Sequence, residues 1–395
     1  MIIRLSTRHF FQKILPVLFL SFLSLLTLSA QEILFENLKI DDGLAHNGTH
    51  FSNSILKDKF GFVWFTTLNG LSRFDGKEFK NYKPSSNACS LPTDILSFIE
   101  TDASGNLWIG SVMKGVLFFD RQKECFYALA DRFENALPPN PFVEFIEKDK
   151  DHNIWYGNRT GLRKWDAQAD SILIFDDEVN VTTSFYQLSN RTILLGGYGG
   201  FYLKETNRDF MFIPFPDQNE TTLVTDAIEL DNGKTWIATH DHQIWEFDLS
   251  TKKIKNRKGF FPFDKHLPSG FEKGLNGDIW MWDEAAILRY NQFSDTKVTY
   301  QHRANNAFSL PQSNYSDVLV DSVGNIYVST YFEGIAIGKT NPPMYQKLGD
   351  FEAVESIHLN EEWLLIRDFE RGGLLYNKKE QKLSAEKLPI GNGTI

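Results

Sequence analysis

One block recurs down this chain and limits what it can fold into. A glycine or small residue, three or four residues of alternating or apolar character, and a closing polar residue appear at Gly70–Asp75, Gly115–Asp120, Gly161–Asp166, Gly200–Glu205, Gln243–Asp248, Ala286–Asn291, Gly334–Lys339 and Gly372–Asn377. The starts lie about 38–48 residues apart. A large aromatic precedes most blocks by six or seven residues: Trp64, Trp108, Trp155, Trp236, Trp280 and Tyr327. A tight turn precedes the aromatic, as in Asp58 with Gly61 and Asp102 with Gly105. Asp bonds its own backbone in such turns, and Gly accepts a positive φ without a steric penalty. The flanking segments alternate apolar and polar residues, the period of a half-buried strand. A single four-stranded unit of this length cannot bury both of its faces. Radial stacking of blades about 40–45 residues long buries them and leaves short edges. The chain reads as an all-β β-propeller.

Residues 33–40 have the pattern of a fourth, outer strand with no blade before them. Such a strand can close the ring by joining the last blade, which covers an otherwise open edge. First strands are expected at 54–58, 95–100, 142–146, 183–187, 225–230 and 317–320, with a poorly patterned one near 269–275. Seven aromatic or equivalent anchors fill residues 31–344, and Pro342 and Pro343 then punctuate the chain. The preferred reading is a seven-bladed ring over 31–344. Residues 345–395 are then an extra blade or the start of a second propeller, and an eight-bladed ring is the alternative.

The N-terminus is different in kind. Arg4, Arg8 and Lys13 precede an apolar run over 14–28, followed by Ser29 and Ala30. This is the pattern of a cleavable secretory signal over residues 1–30. The run of about 15 residues is shorter than the ~20 that span a bilayer, so a periplasmic, exported product is expected. The formal net charge of −10, with no basic stripe, argues against nucleic acid or an anionic membrane surface as partner. Cys89 and Cys125 are the only cysteines. Two scattered cysteines read as unpaired, while an oxidising compartment leaves a bridge open.

The repeats carry a family resemblance. Phe35 to Leu44, the run from Asp58 through Gly61, Trp64 and Thr67, the block Gly70–Gly76, and Leu107–Gly110 resemble the two-component-regulator propeller repeats. Those occur in the periplasmic sensors of hybrid histidine kinases from Bacteroidetes-type bacteria. The resemblance implies a ligand-binding sensor module, with an oligosaccharide as ligand and another sensor subunit or propeller as partner. Full-length members add a second propeller, a β-sandwich, a membrane helix and a kinase, and the expectation here is a module without its own membrane span or kinase.

The expected propeller topology gathers the turns between second and third strands on one face, where loops carry function. Arg159, Tyr198, His240, His242, Trp282, Asp283, Tyr331 and Glu333 fall there. Aromatics beside Arg, Asp and His suit stacking on, and hydrogen bonding to, a sugar-like ligand; tiling of a rim is the plain alternative. His240 and His242 would share one side of an extended segment, but a third metal ligand is not identifiable, so no metal is assigned. The Asp-rich turns lack the carboxylate density of a calcium loop. No nucleophile elbow, phosphate loop or zinc helix motif appears, and no cofactor is expected. An exported lyase or lactonase working at the central channel is the enzymatic alternative. Against it stands the lack of a recognisable His/Asp/Glu set at inner-strand ends. A protein-interaction scaffold is the third reading.

Overall fold

The computed structural model describes residues 33–339 except 50–53, 135, 137–140, 176–177, 180, 217–219, 242, 258–269, 305 and 307. Beyond these it describes the strands of a last sheet within 354–383. The expected signal segment lies outside the described residues. The chain divides into two compact units between Asn341 and Pro342. The second contains one antiparallel sheet built from Val354–His358, Trp363–Asp368, Gly372–Asn377 and Lys382–Leu383.

The first unit is a seven-bladed β-propeller, each blade a four-stranded antiparallel sheet. The inner strands of blades 1 to 7 are Ile55–Lys57, Leu96–Thr101, Phe145–Lys148, Phe185–Gln187, Val224–Glu229, Gly270–Lys273 and Tyr315–Val320. Each touches the next around the ring, and that of blade 7 touches that of blade 1. The N-terminal strand Phe35–Leu38 supplies the outer strand of blade 7, pairing antiparallel with Ile335–Lys339 from Phe35 opposite Gly338 to Leu38 opposite Ile335. The closure expected from the sequence is the one observed, and the ring has seven blades rather than eight.

Local chemistry explains the repeat. Asp58 accepts the N–H groups of Phe60 (2.9 Å) and Phe62 (3.0 Å) on one carboxylate oxygen and the Trp64 indole N–H (2.7 Å) on the other. Asp149 does the same for Asp151, Asn153 and the Trp155 indole. The spacing from Asp to Trp is therefore a single hydrogen-bonded device that shapes the turn and fixes the anchor ring. The glycine that opens most blocks has its own cause. At Gly70 (φ +109) an added Cβ would lie 2.4 Å from the Tyr82 carbonyl oxygen, and at Gly334 (φ +85) 2.1 Å from that of Leu38. The outer strand can approach only where there is no side chain.

The core lies between blades. Trp64, Trp108, Trp236 and Trp280 are fully buried, and their rings pack on aromatics of their own or the next blade, such as Trp64 on Tyr82 and Phe119. Trp108 lies against Trp165 of blade 3. Blades are also joined by charge. Arg121 of blade 2 bonds the fully buried Asp58 of blade 1 at 2.6 Å, and Lys57 of blade 1 bonds Asp321 of blade 7 at 2.6 Å.

Cys89 and Cys125 form a disulfide, which corrects the expectation that they stay unpaired. It ties the link between blades 1 and 2 to the outer strand Cys125–Ala128, where the Phe126 N–H also donates to the Cys89 carbonyl. Pairing depends on the path of that link, which no spacing reveals. With a sequence separation of 36 between the cysteines, loop-closure entropy gives the bridge roughly 2–4 kcal/mol. The double serine variant should melt lower by that amount, while the wild type under reducing conditions should match it.

Candidate functional site

The inner strands carry the chemistry that is not absorbed by packing. Their channel-facing edges have no further strand to pair with, so backbone N–H groups there need other acceptors. Side chains provide them across blade boundaries. Asp226 of blade 5 accepts the N–H of Phe271 in blade 6 at 2.7 Å, and Glu272 of blade 6 accepts that of Val320 in blade 7 at 3.1 Å. Asp317 of blade 7 accepts that of Ile55 in blade 1 at 2.9 Å. Asp226 and Asp317 each follow a β-bulge, at Val224/Asp226 and Tyr315/Asp317. A bulge re-aims the side chain that follows it.

Two cavities run along this channel. One, of about 310 Å³, is lined by Glu100, Glu147, Asp226, Glu272 and Asp317 together with Lys273, Tyr186 and apolar inner-strand residues. The other, of about 290 Å³, opens toward the face of the second-to-third-strand turns and has walls of Phe98, Phe142, Phe145 and Phe185. Glu147, Phe185 and Asp226 line both, so the two are continuous. At the mouth the Arg159 Nε bonds Glu144 Oε1 at 2.8 Å, with the Arg half exposed and the Glu side chain 14% exposed. Glu144 Oε2 and Thr225 Oγ1 are buried beside this cavity and have no hydrogen-bond partner among the described residues.

Burial dominates the ionisation of this set. It lifts the Glu144 carboxyl above its ordinary range, with Arg159 opposing. It raises Glu147 strongly, helped by repulsion from Glu100, Asp226 and Asp317. Asp226 is pushed up to about 7 and Glu272 to about 8, again chiefly by burial. A carboxyl whose folded pKa exceeds its unfolded value binds more protons when folded. Its stabilising contribution is complete below the unfolded pKa, near 4, and is lost as the pH rises through 7 to 8. The melting temperature is therefore expected to fall by roughly 5–10 °C between pH 5 and pH 8.5. In the Asp226→Asn/Glu272→Gln double variant, which keeps one acceptor oxygen at each position for the N–H groups of Phe271 and Val320, the profile should flatten; an equally steep profile would count against this origin.

The residues expected from the sequence divide into two groups. Arg159, Tyr198 and His240 come together across blades 3 to 5. The Arg159 guanidinium lies 5.7 Å from the Tyr198 ring centre. Tyr198 bridges to Leu223, a residue of the mouth cavity. Leu223 in turn donates its N–H to His240 Nδ1 at 3.0 Å and accepts the His240 N–H at 2.9 Å. The others sit apart. Trp282 is only 3% exposed, ends the strand Asp278–Trp282 and donates its indole N–H to the Ser316 carbonyl. It is a packing residue and not a rim residue, because Gly270 opposite it has no side chain and leaves the ring its place. Asp283 is buried and spends its carboxylate on the N–H groups of Ala285 and Ala286. Tyr331 is half-buried beside Phe332, and Glu333 pairs with Lys39 at 2.5 Å. His242 lies outside the described residues.

A metal at the His240 segment finds no support in the geometry. His240 Nδ1 is occupied by a backbone donor, and Asp241 accepts from Thr222, Thr239 and Gln243. Among the described residues no group of three or more His, Cys, Asp or Glu is placed to hold a metal ion. The inner-strand carboxylates, by contrast, correct the statement that no acidic set stands at the channel. The signal was available: an acidic residue inside a first strand, as at Asp226 or Asp317, sits where a half-buried strand should be apolar.

The sequence matches no family model and no curated protein. Solved structures do match its fold. The extracellular domain of a hybrid two-component system from B. thetaiotaomicron superposes with a TM-score of 0.65 at 19% identity, covering 90% of this chain and 49% of that one. A second such domain from the same organism gives 0.64 at 18%, covering 91% and 48%. This chain thus spans about half the length of those domains. A streptogramin B lyase gives 0.61 at 16%, covering 79% of this chain and 99% of the lyase. At these identities the likeness concerns the fold. Among the described residues no helix is long and apolar enough to cross a membrane.

Proposed function

We propose that this chain is an exported, periplasmic ligand-binding propeller of the sensor type, taking a polyhydroxylated ligand such as an oligosaccharide at the channel mouth. The observation that carries the reading is the mouth cavity itself. Two buried polar atoms, Glu144 Oε2 and Thr225 Oγ1, lack partners beside four phenylalanine rings. Unmet buried acceptors cost free energy that a ligand hydroxyl would recover, and the rings offer apolar faces to sugar C–H groups. The sensor assignment draws support from the extracellular two-component domains that share the fold. Export draws support from the N-terminal sequence pattern and from the disulfide, which suits an oxidising compartment. Signal transfer then passes through another sensor subunit or propeller.

A native-state ligand raises the melting temperature by mass action. One glycan class in an oligosaccharide panel is expected to do so, and Arg159→Ala and Thr225→Val to weaken binding about fivefold or more. Thr225→Val is the sharper variant, since replacing a hydroxyl with no partner should leave stability unchanged or slightly higher. An unshifted melt across the panel would refute the reading.

An enzymatic reading rests on a separate observation. Carboxyls held near 7 and 8 at Asp226 and Glu272 are tuned as general acids or bases at neutral pH, and a lyase shares the fold over its whole length. Turnover of a bound glycan, lost in Asp226→Asn, would favour it over sensing.

A further inference from the structure

The channel has a charge pattern that constrains its ligand further, given the reading of its mouth as a ligand site. The lysines nearest the acidic wall are already paired. Lys148 bonds Glu100 of that wall, Lys57 bonds Asp321, and Lys273, which also lines the cavity, bonds Asp231. Asp226 and Glu272 accept backbone N–H groups but have no cation among the described residues. Arg159, the one cation lining the mouth cavity among the described residues, is held by Glu144 and so adds no net charge to it. The passage from mouth to depth is thus aromatic, then acidic. Phenylalanine faces attract an ammonium group, and the carboxyl groups beyond them can ionise to pair with it.

We propose that the channel selects a ligand bearing a primary ammonium group, such as an amino sugar, and that the ammonium seats at the Asp226 and Glu272 carboxylates with release of a proton to solvent. The empty channel keeps these groups protonated near neutrality, because burial and mutual repulsion among Asp226, Glu272, Asp317 and Glu147 disfavour charge, with Lys148 opposing at Glu147. An arriving ammonium supplies the missing positive charge, so one carboxylic acid ionises as the ion pair forms. No other bond changes. Buried Glu144 Oε2, open to a hydroxyl or N–H donor at the entrance, holds the sugar that carries the amine.

The test is calorimetric titration of the full chain at pH 6 with glucosamine oligomers, their N-acetylated counterparts and neutral gluco-oligomers of equal length. Glucosamine oligomers should bind about tenfold or more tightly than either neutral series. Their binding heat should differ between buffers of different ionisation enthalpy by the amount that marks proton release. The Asp226→Asn/Glu272→Gln variant should lose that preference and the buffer dependence. Because both substitutions keep an acceptor oxygen at each position, a cooperative melt checks that the ring is intact, and proton release by the wild type is an independent readout if it is not. Equal affinity for all three series would overturn the charge selection and leave the sugar-binding reading standing. Binding of none would overturn both.

Discussion

Deleting residues 33–38 is expected to open the ring and turn a sharp unfolding transition into a broad one. Those residues supply the outer strand of blade 7 across four paired positions. They also bury Ile33 and Phe35, at 3% and 2% exposure, in the cluster around Trp280, Tyr300 and Tyr315. Phe35 meets the Tyr300 ring edge-on at 6.0 Å, and its N–H donates to the Phe308 carbonyl. Burial of the two side chains alone contributes about 3–6 kcal/mol, and the lost ladder exposes the edge of Ile335–Lys339 to pairing with other chains. Loss on this scale consumes a large part of a domain's stability of about 5–15 kcal/mol. Denaturant unfolding followed by tryptophan fluorescence should show a lower midpoint and a smaller m-value, with concentration-dependent aggregation. An unchanged midpoint would mean that the strand decorates blade 7 without closing anything.

The second large effect is at Asp58. Its carboxylate is wholly buried and holds the turn, the Trp64 indole and the Arg121 guanidinium together. Asp58→Ala leaves an arginine 18% exposed without its counter-charge and three N–H groups without an acceptor. The expected cost is about 3–5 kcal/mol. Asp102→Ala provides the comparison. Asp102 shapes its turn through Gly105 and Asn106, but the Trp108 indole N–H has no partner and no arginine bonds the carboxylate. That variant should cost about half as much. Equal losses at the two sites would assign the effect to turn geometry alone and remove the inter-blade ion pair from the account.

These two predictions also separate what the sequence makes legible from what it does not. The Asp-to-Trp spacing and the block glycines are local: they act through turn geometry and through contacts within one blade, so their recurrence down the chain exposes them. The lone outer strand at the N-terminus was legible for the same reason, since it matches the pattern that ends every other unit. The channel carboxylates are not local. Asp226 contacts Phe271, Glu272 contacts Val320 and Asp317 contacts Ile55, each across a blade boundary, and bulges shift the alternation that would say which way a side chain points. Trp282 was misplaced on the rim because its burial depends on Gly270, a residue in the poorly patterned inner strand of blade 6. Of the expected site, Arg159, Tyr198 and His240 share one sector; the aromatic walls and Glu144 were missed because their convergence requires the ring.

Amide hydrogen exchange with and without the best-binding oligosaccharide tests the central claim most directly. The account predicts slowed exchange at residues 142–147, 157–160, 183–186 and 222–227, the segments that form the channel mouth in blades 3 to 5, joined by 270–273 of blade 6 when the ligand carries an amine. Protection confined to the opposite face, at the turns around Asp58, Asp149 and Asp321, or at the outer strands, would contradict it.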